Sequence, residues 1–372
     1  IRLSDDGRRI FQEQVAGAIS WNLLNDYPET RWQALWLPQW FSGFAEPGFV
    51  WQPDGADIGV LSKYSLTPLL FGTFKAAIYG LIFAVPLALG AAIYTGYFLP
   101  ARTRNKVKPA IELLEAFPTV VLGFLAGLWL APLLADYLAA VLLLPLVVFG
   151  VPVLVSLLHL LASTLAPSLA ARPRRALLLV PSYVLACFWL FDQSDTWETL
   201  FFGGSIEDWL WSEFAIAYDQ RNAILVGVAM GIAVTPSMFS ILEDAVFAVP
   251  RSLSDGSLAL GATRWQSLVR IVLPTASPAL LSALLIGTAR GLGETMIVLL
   301  ATGNAPLTDY SPFSSLRSIS ASIAIELPEA GAQSINFRLL FLAARVLFAL
   351  TFCMNTVAEI YRQRLRYVYA RR

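Results

Sequence analysis

Two charged residues, Arg290 and Glu294, lie four positions apart in an otherwise apolar stretch, "LLIGTARGLGETMIVLLATGN". Positions i and i+4 share one face of an α-helix, and Gly287 and Gly291 on that face would leave room for a partner backbone or a ligand. Arginine stays charged and offers a planar fork of donors that fits phosphate oxygens. The pattern therefore indicates either an anion site, with Glu294 neutralising Arg290 between transport events, or a static salt bridge that holds the helix in its bundle.

Other polar residues in apolar stretches are weaker candidates. Thr295 and Asn304 offer a hydroxyl and an amide to the same site, or satisfy the helix backbone. Arg345 lies inside the last apolar stretch, where it pairs with an acid or serves the transport path. Glu112 and Glu115 follow a basic segment and are predicted to form surface ion pairs with it.

The composition indicates a membrane protein. Hydrophobic residues make up 57% of the 372 and charged residues 14%, against about a quarter charged in soluble domains. The mean hydropathy is +0.63. The single histidine excludes a multi-histidine metal site, and none of the four lysines follows a glycine, which excludes a phosphate-binding P-loop. We therefore expect a transport subunit with no ATPase site, no catalytic residue and no cofactor or metal of its own, rather than an enzyme.

Seven apolar segments are long enough, or nearly so, to span a bilayer, which takes about 20 residues: 69–98, 110–134, 138–162, 175–191, 222–243, 278–303 and 336–360. Basic connections stay on the cytoplasmic side. The basic segment 100–109 and the basic tail 363–372 therefore predict a cytoplasmic C-terminus, while the acidic segment 192–221 is predicted to lie outside. On this assignment residues 1–68 are an extracytoplasmic segment carried outside by an earlier span, and 69–362 is the transmembrane domain.

The connection 244–277 is predicted to lie in the cytoplasm. Pro250 precedes a run that can start a helix, Gly261 breaks it, and "TRWQSLVRIVL" predicts a second amphipathic helix ending at Pro274. Two short helices joined by a glycine hinge would form a projection that a cytoplasmic partner can bind. A re-entrant or interfacial loop would show the same pattern.

This connection resembles the "EAA" loop of ABC-importer permeases. The resemblance rests on the spacing of seven residues: Asp255, Gly256, Ser257, Gly261, Ile271, Leu273 and Pro274. The first three depart from the Glu-Ala-Ala of the family, whereas the glycine, the isoleucine and the Leu-Pro pair keep its spacing. The resemblance implies an all-α polytopic membrane protein with the type I importer permease fold, and a coupling helix that docks into a cleft on an ATP-binding subunit.

The stretch "SLALGATRWQSLVRIVLPTASPALLSALLIGTARGLGETMIVLLATGN" is similar to the permeases of phosphate ABC importers, of the PstC type. The similarity is dense over 222–362 and looser over 69–134, whereas the segments within 138–191 are additional, as in a long-form variant. It implies an ATP-driven phosphate importer in a bacterial inner membrane, with Arg290 and Glu294 on the transport path. It also implies a dimer of ATP-binding subunits, a second homologous permease subunit and an extracytoplasmic phosphate-binding protein.

Two alternatives remain open at this stage. One is a permease for another oxyanion such as sulfate or molybdate, and the other is a gradient-driven anion transporter or channel. The coupling-type loop argues against the second alternative, and membrane lipid but no nucleic acid is expected as a further partner.

Overall fold

The computed structural model describes residues 2–3, 9–14, 17–22, 32–40, 45–53, 62–165, 174–332 and 334–370. Side chains are described for 32–40, 45–53, 62–161, 179–332, 334–361 and 363. The fold is mostly helical, as predicted, and the strands lie near the N-terminus.

Six helical stretches in the described part of the chain are long and apolar enough to cross a membrane. Three of them contain a π-helical turn, which follows the α-helix in the first case and lies between two α-helical parts in the other two. The six are α2 (Thr67–Ile93) with its π-turn Tyr94–Phe98; α4 (Thr119–Leu125), a π-turn and α5 (Ala131–Asp136); α6 (Leu138–Leu165); α10 (Ala223–Phe247); α12 (Arg264–Ser267), a π-turn and α13 (Leu273–Gly293); and α16 (Ile335–Ala370).

The remaining helices are shorter or more polar. They are α1 (Trp32–Trp36), α3 (Ala101–Glu112), α7 (Arg174–Asp192), α8 (Ser194–Phe202), α9 (Ile206–Phe214), α11 (Arg251–Ala259), α14 (Met296–Ala301) and α15 (Ile319–Glu326). The predicted span 175–191 corresponds to α7, whose apolar part with described side chains, Leu179–Asp192, is too short to count as a span by itself.

Three sequence predictions of local structure are wrong. The basic segment 100–109 is not a loop but most of α3. The predicted span 278–303 is broken, because α13 ends at Gly293 and Glu294 is extended (φ −68°, ψ 126°) before α14 begins. The second loop helix does not end at Pro274, since α12, the π-turn Leu268–Val272 and α13 follow one another without a break and this proline is the second residue of α13.

The core is formed by α2, α10 and α13, which approach closely where glycine leaves space. A Cβ at Gly80 would lie 2.6 Å from Met230 Sδ, and one at Gly287 would lie 2.6 Å from Met238 Sδ. The π-turn Ala126–Leu130 that follows α4 meets α14 in the same way, because a Cβ at Gly127 would lie 2.2 Å from the Leu300 carbonyl oxygen. Residues much larger than glycine would therefore push these helices apart.

One end of the bundle packs against residues that precede α2, among them Leu35, Trp51 and Tyr64. Strands β1 (Arg2–Leu3), β2 (Arg9–Gln14) and β3 (Gly17–Asn22) form an antiparallel sheet, and β4 (Trp51–Gln52) pairs with β5 (Lys63–Tyr64). Trp51 belongs to a buried cluster with Leu339 and Leu340 of α16, and its Nε1 donates to Glu326 Oε1 at 2.7 Å. We call this the N-terminal end and the opposite one, which carries α11, the α11 end.

The helices α6 and α7 pack along each other. Pro152 has no N–H to donate to the Val148 carbonyl four residues earlier. The Tyr183 hydroxyl on α7 donates to that oxygen instead, at 2.6 Å. The proline in α6 thus provides an acceptor that joins the two helices.

Candidate functional site

Arg290 lies near the middle of the bundle along its axis. It stands between Gly287, which packs against Met238, and Gly291, which packs against Ala77 and Met230. Met230 and Met238 lie on either side of the midpoint of α10, whose 25 residues run from Ala223 to Phe247. A helix of this length spans a membrane, so Arg290 lies at mid-membrane depth.

The partner of Arg290 is Glu115, not Glu294. Arg290 Nη1 lies 2.5 Å from Glu115 Oε1. Glu294 lies outside the helix, so the predicted i, i+4 face does not form. Its Oε1 instead accepts from the Ile297 N–H at 3.5 Å, and its carbonyl accepts from Ser320 Oγ at 2.9 Å.

The sequence prediction for Glu115 is therefore wrong, since Glu115 pairs with Arg290 and not with the basic segment 100–109. It follows α3 in a 3₁₀ turn, Leu113–Ala116, and the next span starts at Thr119. The available signal was its position inside the apolar segment predicted at 110–134. An acid at such a position needs a partner at the same depth.

The pair is open on the surface of this chain. The side chains of Arg290 and Glu115 are 31% and 43% exposed. Charged groups at mid-membrane depth do not face hydrocarbon but a protein interior, a partner or a water-filled cavity. This face of the chain therefore turns toward another subunit or an aqueous path, and not toward lipid.

The other candidates near Arg290 have structural partners. The Thr295 hydroxyl bonds to the Gly293 carbonyl at 3.4 Å. The Asn304 amide donates to the Leu299 carbonyl at 2.9 Å and so closes the C-terminal end of α14.

Arg345 is exposed near the middle of α16, and in the part of the chain with described side chains it has no ion-pair partner. Its membrane depth and exposure are those expected of a residue that faces a partner or water.

A buried lysine was missed altogether. Lys75 on α2 is 6% exposed, and its Nζ lies 3.2 Å from Asp309 Oδ1 and 2.7 Å from Ser314 Oγ. In the sequence, this lysine bore only on the question of whether the chain contains a P-loop. The pair joins α2 to the segment 302–318, whose backbone also bonds to the residues that precede and begin α10.

The loop between α10 and α13 forms the predicted projection. α11 begins directly after Pro250 and contains Asp255, Gly256 and Ser257, and none of its residues is buried. Gly261 adopts φ +89°, a left-handed conformation that favours glycine. Ile271 lies in the π-turn, and Leu273 and Pro274 open α13.

This projection exposes apolar side chains. Leu260 is 92% exposed, and Leu253 and Trp265 are 47% and 65% exposed. Beside them lies a cavity of about 320 Å³ lined by Ser257, Leu260, Gly261, Ala262, Gln266, Ser267, Arg270 and Ile271. Exposed apolar residues around a concavity are typical of a surface that binds a protein partner or the membrane interface.

Residues 174–367 match the family described as binding-protein-dependent transport system inner membrane component. The chain belongs to this family. The match covers 194 of the 372 residues and includes the projection, Arg290 and the last span. The predicted family membership is confirmed, and the chain is a multi-pass component of an inner membrane.

Several relatives cover most of the chain. It is 24% identical to the probable ABC transporter permease protein YqgH of Bacillus subtilis, over 81% of this chain and 72% of that protein. It is 26% identical to the phosphate transport system permease protein PstC of Xylella fastidiosa, over 82% and 76%. It is 25% identical to the phosphate transport system permease protein PstC 1 of Mycobacterium tuberculosis, over 93% and 83%. The phosphate-permease resemblance seen in the sequence is thus confirmed.

Proposed function

We propose that this chain is the transmembrane permease subunit of an ATP-driven phosphate importer, and that Arg290 contributes to the anion path. The observation that carries the proposal is the Arg290–Glu115 pair, charged, at mid-membrane depth and open on the chain surface. The substrate comes from the PstC relatives, which are named as phosphate transport system permeases.

The pair has the properties that anion passage requires. The guanidinium offers several donors to phosphate oxygens, and an anion arriving there replaces Glu115 as its counterion. When the anion leaves, Glu115 neutralises Arg290 again, so the arginine is never an unpaired charge at membrane depth. Competition by the carboxylate keeps binding weak enough for release. Glu294 and Thr295 contribute the helix break beside Arg290 rather than a second charge pair.

The proposal includes partners at both ends of the bundle. An ATP-binding subunit of a dimer docks on the projection formed by Asp255, Gly256, Ser257, Gly261, Ile271, Leu273 and Pro274, and ATP is used there and not by this chain. A second homologous permease subunit covers the face that holds Arg290. An extracytoplasmic phosphate-binding protein delivers its cargo at the N-terminal end.

In this arrangement the N-terminal end is outside and the α11 end is cytoplasmic. Residues 1–68 are the extracytoplasmic segment, 69–362 the permease domain with the extra helices 138–191 and the coupling loop 244–277, and 363–372 a basic cytoplasmic tail. The proposed orientation agrees with the basic residues of α3 and the tail.

Phosphate uptake by cells that lack their own importer tests the proposal. Wild type restores uptake, Arg290→Gln abolishes it, and Arg290→Lys retains part of it because the charge remains. Arg338→Gln is the matched control, since Arg338 is exposed in the first turn of the same bundle's last helix. All variants are compared at equal amounts of assembled complex.

The outcomes separate the alternatives. Uptake that sulfate or molybdate suppresses as well as phosphate does would replace phosphate by another oxyanion. Uptake that persists without ATP, or a chain that purifies without an ATPase, would indicate a gradient-driven transporter or channel. Normal uptake by Arg290→Gln would make the pair a structural bridge.

A further inference from the structure

A stripe of four charged residues runs along α3 and the turn that follows it. The residues are Arg104, Lys108, Glu112 and Glu115. Their spacings of four, four and three place them on one helical face. The 3₁₀ turn Leu113–Ala116 follows α3 directly, so the face is continuous until Phe117 becomes extended. With about 1.5 Å per residue, the stripe is about 16 Å long.

The first two residues of the stripe, Arg104 and Lys108, bind acidic residues near the C-terminal end of α10. Both Arg104 and Lys108 contact the carboxylate of Glu243, which is 0% exposed, with Arg104 Nη2 at 2.9 Å and Lys108 Nζ at 3.1 Å. Lys108 also pairs with Asp244, and the Arg104 guanidinium lies 3.6 Å from the Phe247 ring centroid. The hydrogen bond with Glu243 raises the pKa of Arg104, although partial desolvation of the guanidinium acts in the opposite direction.

Removing a partner from such a cluster is costly. A buried carboxylate left without its cations carries most of its desolvation penalty uncompensated. Because no residue of α3 is itself buried, the helix has little apolar packing to hold it elsewhere. The ion pairs therefore make α3 follow the end of α10.

The second half of the stripe reaches the candidate anion site. Glu112 Oε1 accepts from Ser240 Oγ at 2.8 Å, one turn before Glu243 on α10. Glu115 then meets Arg290 through one half-exposed contact. The stripe thus has several ion pairs with α10 at its first half and a single, more exposed ion pair with Arg290 at its other end. If α10 and α13 move apart, the Glu115–Arg290 pair is the first to break.

We propose that α3 is a lever, anchored by Glu243, that moves Glu115 onto and off Arg290 when the projection α11 moves α10. The connection is short, because Glu243 lies eight residues before Arg251, the first residue of α11. Lys108 and Arg104 are positioning residues that act through Glu115. The inference rests on the proposed function for the meaning of Arg290, but its mechanical part is testable without knowing the transported anion.

The test follows the position of the lever with a thiol probe. Cys187 and Cys353 are replaced by serine, and Ala116→Cys is introduced as an exposed reporter beside Glu115. The complete complex is reconstituted in proteoliposomes and labelled with a water-soluble thiol reagent, with and without ATP. The matched variants are Lys108→Gln on the stripe and Lys106→Gln, which is exposed on the other face of the same helix.

The lever predicts that ATP changes the labelling rate at least about fivefold, the lower end of usual coupling between sites. Lys106→Gln keeps this response, whereas Lys108→Gln and Glu243→Gln lose it at equal amounts of complex. A reporter that does not respond to ATP, or Lys108→Gln behaving like Lys106→Gln, overturns the proposal.

Phosphate uptake by the same proteoliposomes separates the two claims. If labelling responds to ATP through Lys108 but no phosphate is taken up, the lever stands and the assigned substrate is wrong. If phosphate is taken up and Arg290→Gln abolishes uptake, but Lys108→Gln responds normally, the lever alone fails.

Discussion

Replacing Glu115 by glutamine removes the carboxylate that competes with the transported anion for Arg290. Two unit charges about 4 Å apart interact by about 4 kcal/mol at an effective dielectric constant of about 20. The two side chains are 31% and 43% exposed, so solvent screening reduces the effective value to about 1–2 kcal/mol. An anion bound to Arg290 in Glu115→Gln is therefore retained about 5–30-fold longer, since 1.4 kcal/mol corresponds to a factor of ten.

The assay is phosphate turnover per assembled complex in proteoliposomes at saturating ATP and binding protein. We expect turnover to fall by about tenfold in Glu115→Gln, as release becomes limiting. Glu115→Asp, which keeps the charge on a shorter side chain, should fall less. Glu329→Gln removes an exposed carboxylate at the N-terminal end, next to the Glu326 that binds Trp51, and serves as control. Unchanged or faster turnover in Glu115→Gln would refute the competition between carboxylate and anion.

Three further substitutions test the packing and the projection. Gly127→Ala should destabilise the protein by about 1–3 kcal/mol, because the new Cβ meets the Leu300 carbonyl. A lower Tm in detergent would show this, and Gly150→Ala is the control, since a Cβ at Gly150 meets nothing within 4 Å. Equal Tm values for the two variants would contradict the close approach. Gly261→Ala should strain the loop by about 1–2 kcal/mol, because Gly261 adopts a left-handed conformation. We expect less ATPase to co-purify with this variant, and undiminished co-purification would argue against docking at this hinge. Tyr183→Phe removes the hydrogen bond to the Val148 carbonyl, which contributes about 0.5–1.5 kcal/mol to the free energy of unfolding. We expect a lower Tm and unchanged uptake. An unchanged Tm would show that this bond contributes nothing.

The spans and the projection were predictable because they follow from local patterns. Long apolar runs mark helices of membrane length, and Pro250 and Gly261 bound α11 as expected. The helix break at Glu294 was not predictable in the same way. An apolar run continues through it, and the Glu294 carbonyl, which loses its helical partner, accepts a tertiary bond from Ser320 that the sequence does not reveal.

The ion pairs could be anticipated only in part. Arg290 and Glu115 are 175 positions apart, and spacing along one helix says nothing about partners on another. The requirement that a membrane-depth charge be paired indicates that partners exist. Lys75 and Asp309 were missed for the same reason, since only folding brings α2 against the segment 302–318.

The most direct test of the account asks whether water and phosphate reach the Arg290–Glu115 face. A cysteine at position 115, in a chain free of Cys187 and Cys353, is labelled in the assembled complex with a membrane-impermeant thiol reagent. The account predicts labelling that phosphate slows, and none at Phe149→Cys, which is exposed on α6 but should face lipid. A cysteine at 115 that stays unlabelled with and without ATP, or that phosphate does not protect, would contradict the claim that this pair lines an anion path.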